Sequence, residues 1–267
     1  MSDDSDVGAP LPARTVTSER TIVSPIADRT GADGHSFRGD IQGLRAIAVI
    51  VVIAAHAVVP GFTGGFVGVD IFFVVSGFLI TQLIVTGVQR EDGFSLGRFY
   101  ARRARRIIPA ASLVLAVTVV ASIIYFNFID ALDATRDALW ATFFAANIRF
   151  GTQGVDYFAL EDSASPLQHY WSLAVEEQFY IVWPLLIAAV VWATRRRRFP
   201  GSAPIGALTV VALLGSAVSF AWSIHRTEVE PTAAYFSTLT RAWELGAGAI
   251  VALLVIVGRT LTRRSLT

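Results

Sequence analysis

The sequence predicts an all-α fold: a polytopic transmembrane helix bundle of about six spanning helices plus one short interfacial or re-entrant helix. Three observations carry that prediction. Of the 267 residues, 54% are hydrophobic and only 16% are charged, with a mean hydropathy of +0.56; a soluble domain has about 25% charged residues. Six apolar stretches are long enough to cross a bilayer, which takes about 20 residues. The arginines gather in alternate connections between those stretches. The net charge is only +1 and the basic residues lie in patches between apolar runs, which excludes a nucleic-acid binder. The absence of cysteine excludes a disulfide scaffold and thiolate chemistry.

Residues 1–36 are rich in Ser, Thr, Asp, Gly and Pro without apolar periodicity, so they read as a disordered tail. The first apolar run starts only near Ile41, and no signal peptide is expected before it. The predicted spans are 41–59, 66–88, 107–129, 171–194, 203–224 and 241–257. The stretch 138–150 is too short to cross and reads as the interfacial or re-entrant piece. Residues 259–267 form a basic tail.

Arginine placement predicts orientation. With the N-terminal tail in the cytoplasm, sixteen arginines from Arg29 onward fall on the inner side and only three or four, Arg241 being the ambiguous one, on the outer. Both termini are then expected in the cytoplasm of a cell with the protein in its inner (plasma) membrane, and the acidic 130–170 connection faces outward. The run 195–198 reads as anchoring against anionic headgroups.

Ionisable groups inside spanning segments are costly, and each is a functional candidate. Arg45 and His56 are eleven residues apart, which puts them on one helix face about 16 Å apart along the axis. Arg45 is then expected at the cytoplasmic mouth and His56 in the outer half of the bilayer; snorkelling and interhelical packing are the competing explanations. Asp70 enters the second span at a depth like that of His56, and either orients the imidazole or is a carboxylate near the headgroups. His169, Ser172, Glu176 and Tyr180 are spaced three, four and four, forming one polar face. Glu177 and Gln178 point elsewhere, toward other helices. Arg241 and Glu244, three apart, are a local ion pair or a second wall of the same cavity.

These residues sit in blocks that resemble a known family. The segment FRGDIQGLRA (37–46) followed by His56 is similar to the opening of the acyltransferase family 3 membrane proteins, with a basic residue, ten residues and then His. GGFVGVDIFFVVSGFLIT (64–81), FYARRARRIIP (99–109), HYWSLAVEEQFYIVWP (169–184) and RAWELGAGAI (241–250) resemble four further blocks in the family's order. The resemblance implies an integral membrane acyltransferase domain over 37–258, taking an acyl group from cytoplasmic acyl-CoA, often acetyl-CoA. The acceptor would be a hydroxyl of an envelope carbohydrate or glycolipid. No metal and no tightly bound cofactor is implied. Carried over, His56 would be the catalytic base, with Asp70 beside it; Arg45, Arg103 and Arg106 would engage the donor; His169, Ser172, Glu176, Glu177, Arg241 and Glu244 would line the acceptor side.

Gln42 departs from the family, which commonly has an acidic residue there. Family members usually have about ten membrane helices, and many add an SGNH-type domain, so a partial domain is expected here, with later helices supplied by a partner chain if the enzyme is split. An inactive remnant and a small-molecule transporter are the alternative readings; the latter would also place His, Glu and Arg between helices.

Overall fold

The computed structural model describes residues 38–89, 94–154, 165–196 and 203–265. Among them it contains nine helices and no strand: α1 (Gly39–His56), α2 (Val67–Val88), α3 (Leu96–Tyr125), α4 (Phe128–Thr142), α5 (Ala146–Gln153), α6 (Tyr170–Arg196), α7 (Ala203–Val229), α8 (Pro231–Phe236) and α9 (Thr238–Ser265). Six of these, α1, α2, α3, α6, α7 and α9, are long and apolar enough to cross a membrane. Residues 40–267 group as one unit, and the tail 1–36 lies outside the described residues.

The differences from the predicted boundaries have local causes. α3 begins eleven residues earlier than expected because Ser95 caps it, its side chain accepting the Arg98 N–H at 3.3 Å. The arginines after it then ride on the helix instead of lying in a connection. The short piece expected at 138–150 is two helices. Asn127 caps α4 by accepting the Asp130 N–H at 3.0 Å, and the break before α5 is fixed by Phe144 at φ +52°. α5 stops at Gly154, which adopts the left-handed conformation that glycine tolerates. The helical backbone of α9 continues to Ser265, through most of the stretch set apart as a tail.

α2 and α9 are the centre of the bundle. A Cβ on Gly77 would collide with the Leu245 carbonyl, and one on Gly248 would collide with the Val74 carbonyl, so the two backbones touch. Gly65 and Gly68 likewise receive the backbone of α1 at Val51 and Ala48. Around this contact lie two apolar clusters. One, built on Phe73, Phe150, Trp171 and Phe236, sits where α2, α6 and α9 begin; the other, built on Ile84, Trp183, Ile187 and Leu253, lies toward their far ends. Several polar cross-links join the helices, pairing groups that an apolar solvent would not hydrogen-bond. Trp183 Nε1 donates to Thr81 Oγ1 at 2.8 Å. Gln178 donates to the Phe144 carbonyl at 2.8 Å and to Asn147 Oδ1 at 2.9 Å, while Asn147 donates to Thr238 Oγ1 at 3.0 Å. The outer faces of α1, α3 and α7 are exposed and apolar, as lipid-facing surfaces are.

Candidate functional site

Three helices that begin near one another supply the first cluster. Asp70 is in the first turn of α2, Arg241 in the first turn of α9 and Trp171 in the first turn of α6. Arg241 Nη1 donates to Asp70 Oδ1 at 3.2 Å and to Glu244 Oε1 at 2.9 Å, and its Nε donates to the Tyr235 carbonyl at 3.1 Å. Its guanidinium stands 4.7 Å from the Tyr235 ring centroid and 5.9 Å from that of Trp171. Glu244 is 2% exposed. One guanidinium therefore serves two carboxylates inside the bundle, and Arg241 is both a local ion pair and an interhelical one.

His56 ends α1. Its Nδ1 lies 2.8 Å from the Val52 carbonyl, which can only accept, so in the neutral ring Nδ1 carries the hydrogen and Nε2 the lone pair. The Phe66 ring meets the imidazole edge-on, with centroids 5.5 Å apart. Asp70, expected either to orient the imidazole or to be a carboxylate near the headgroups, is turned to Arg241, and the carbonyl one turn back holds Nδ1. His169 precedes α6. Burial, and next the charge of His56, hold its pKa below the ordinary 6.5. The two imidazoles are thus near enough to feel each other.

A second cluster lies deeper, about 9 Å further along α2. Ser76 Oγ donates to Glu176 Oε1, and Tyr180 donates to the same oxygen at 2.7 Å. Arg103 Nη2 donates to Glu177 Oε1 at 2.5 Å, and its guanidinium lies 3.4 Å from the Tyr180 ring centroid. Arg103 Nε is buried without a hydrogen-bond partner among the described residues.

The expected stripe on α6 is therefore only partly assembled. Glu176 and Tyr180 are joined, whereas Ser172 donates to the His169 carbonyl at 3.2 Å and takes no part. Glu177 and Gln178 do face other helices, α3 and α5. The expected separation of donor-side cations from acceptor-side carboxylates does not hold, because Arg103 is paired with Glu177. Arg106 shares a cavity wall with His169. Arg45 is half-buried one turn from Ala48, which meets Gly68 near the start of α2. α1 runs antiparallel to α2 at these contacts, so Arg45 lies about 5 Å further along α2 than Gly68 and about 25 Å from Val88. The sequence reading missed Ser76, Tyr235 and Asn147 as partners. A serine beside glycine in an apolar helix reads as packing, and the other two lie outside the long spans.

Residues 38–264 match the family described as an acyltransferase domain, acyltransferase family 3. The chain belongs to that family. This acyltransferase-family chain is 36% identical over 228 residues to peptidoglycan O-acetyltransferase OatA of Listeria monocytogenes, covering 84% of the chain and 35% of that protein. It is 36% identical over 220 residues to the putative peptidoglycan O-acetyltransferase YrhL of Bacillus subtilis, covering 82% and 33%. To O-acetyltransferase OatA of Staphylococcus aureus it is 37% identical over 212 residues, covering 79% and 34%. The chain thus spans about a third of the length of these curated relatives. No solved structure matches it. Both charged clusters fall within the family match, as do His56 and His169.

Proposed function

We propose that this chain is the acyl-transferring membrane domain of an O-acyltransferase. It moves an acetyl group from acetyl-CoA, entering from the cytoplasmic side, to a hydroxyl of an envelope carbohydrate such as the cell wall. The observation that carries the reading is the His56 imidazole, fixed through Nδ1 on the Val52 carbonyl at 2.8 Å so that Nε2 is the basic nitrogen. The membership in acyltransferase family 3 and the names of the relatives support the reaction class. His56 Nε2 takes the proton of the acceptor hydroxyl as its oxygen bonds to the acyl carbonyl carbon. The carbon–sulfur bond then breaks, and the departing thiolate of coenzyme A takes up a proton.

The test uses membranes containing the full chain, given radiolabelled acetyl-CoA beside a His56→Gln control. Label in an envelope glycan fraction that depends on His56 is the expected result. Absence of label from protein shown to be inserted would overturn the reading for this chain.

A further inference from the structure

Two adjacent cavities lie where α2 and α6 finish and α7 begins. They are remote from the first charged cluster, since Val88 is 18 residues beyond Asp70 on α2, about 27 Å. The first, of about 420 Å³, lies between α2, α6 and the start of α7, against Val85, Ile205 and Leu208. The second, of about 730 Å³, lies between α2, α6 and the start of α3, against Ile84, Phe94 and Ala188. Val88, Ile187, Val191 and Arg195 border both. Ile187 and Val191 are buried, so an apolar partition stands between two apolar recesses that share one guanidinium. Trp192 marks the depth: it is 62% exposed, and the Arg196 guanidinium lies 5.1 Å from its ring centroid. An exposed Trp beside a cation belongs at the headgroup level of a bilayer. From Arg195 inward to Pro184, which also lines the second cavity, is eleven residues, about 16 Å. That is half of a hydrocarbon core about 30 Å thick. The second cavity therefore runs the depth of one leaflet.

We propose that these cavities form one binding site for a two-chain anionic phospholipid, with its phosphate on Arg195 and one acyl chain on each side of the Ile187–Val191 partition. The planar fork of an arginine binds two phosphate oxygens at once, and basic recesses between spanning helices hold anionic lipid headgroups. Apolar walls favour chains over water, and each cavity exceeds the volume of about 300 Å³ at which small-molecule pockets start. The paired form selects the occupant. A free phosphate would use Arg195 and leave both recesses unfilled, and a thioester donor brings a single arm. Neither Arg103 nor Arg106 borders either cavity. The site is also more than headgroup attraction to the run 195–198, because attraction by charge alone is indifferent to how many chains the lipid carries.

Native mass spectrometry of the delipidated full chain in detergent tests this. The chain is titrated with dioleoylphosphatidylglycerol, dioleoylphosphatidylcholine, one-chain lysophosphatidylglycerol, inorganic phosphate and octanoyl-CoA. Wild type should hold one phosphatidylglycerol at least tenfold more tightly than any of the other four. Arg195→Gln should abolish the preference for phosphatidylglycerol over phosphatidylcholine. Arg102→Gln, which removes an exposed arginine of α3 that borders neither cavity, should keep it. Ala188→Trp should weaken both two-chain lipids at least fivefold. Equal losses in the two arginine variants would reduce the effect to surface charge and overturn the site. So would equal binding of the one-chain lipid or of phosphate, and octanoyl-CoA held as tightly as phosphatidylglycerol would make the cavities a donor site instead. If Ala188→Trp does not fold, Arg195→Gln decides, because that side chain is exposed and its exchange leaves the packing intact. The readout is binding and not transfer, so a chain that transfers no acetyl group leaves this inference standing or falling on its own.

Discussion

Arg103 and Glu177 form a 2.5 Å ion pair between α3 and α6, with the Tyr180 ring 3.4 Å beneath the guanidinium. Both side chains are largely shielded, so removing one strands a charge where water is scarce. Arg103→Leu and Glu177→Leu should each lower the thermal stability of the detergent-solubilised protein by about 2 kcal/mol or more. The double variant should recover part of that, with a coupling of about 1–3 kcal/mol in a double-mutant cycle. Additive losses would show that the two side chains act independently.

Arg241 carries a heavier duty, since it is paired with both Asp70 and Glu244 in the first cluster. Arg241→Leu leaves two carboxylates together and should destabilise by about 3–5 kcal/mol. Asp70→Asn in the same chain should restore at least half, because it removes the repulsion and keeps the shape. Thermal unfolding of the three variants decides it. A double variant no better than Arg241→Leu would mean that the guanidinium acts mainly through its stacking on Tyr235 and Trp171.

The α2–α9 crossing makes a geometric prediction. Gly77→Ala puts a methyl into the Leu245 carbonyl, a backbone group that cannot swing aside, and should cost at least about 3 kcal/mol or prevent folding. Gly215→Ala in α7 meets nothing within 4 Å and should be neutral or gain up to about 1 kcal/mol from the better helix propensity. Equal effects of the two, measured as yield of folded protein and unfolding temperature, would contradict the contact.

His169 gives a pH signature. Its pKa is lower in the fold than the ordinary 6.5, so the folded protein binds fewer protons than the unfolded chain between those two values. Its neutral state is accommodated in full above pH 6.5, and stability falls as pH drops from there toward the folded pKa. His169→Gln should flatten that part of the stability curve between pH 5 and 7. A curve with the same slope in the variant would assign the dependence elsewhere.

Much of this was legible in the chain. The six spans follow from apolar length alone, and Glu176 and Tyr180 were placed on one face by helical spacing. Glu177 and Gln178 were correctly sent to other helices, because a 100° step turns neighbours away from that face. What spacing cannot supply is the partner across the bundle. Asp70 finds Arg241 from 171 residues away, and nothing local distinguishes that from the nearer His56. The position of Arg45 along α2 is of the same kind: the contacts of Gly65 and Gly68 with Val51 and Ala48 set how far α1 slides, and nothing local in α1 encodes them. The split of α4 from α5 depends on one backbone angle at Phe144, which composition does not encode.

The meeting of α2 with α9 also constrains how the protein is made. Asp70 enters the bilayer early in synthesis, and its counter-charge emerges 171 residues later. At about 5–20 residues per second, the ribosome leaves that carboxylate waiting for roughly 10–35 s. During that interval α2 has neither its cation nor the backbone surface that fills its glycine notch. Early helices must therefore be tolerated by the insertion machinery as loose, partly polar segments, and the α2 contact locks only when α9 arrives.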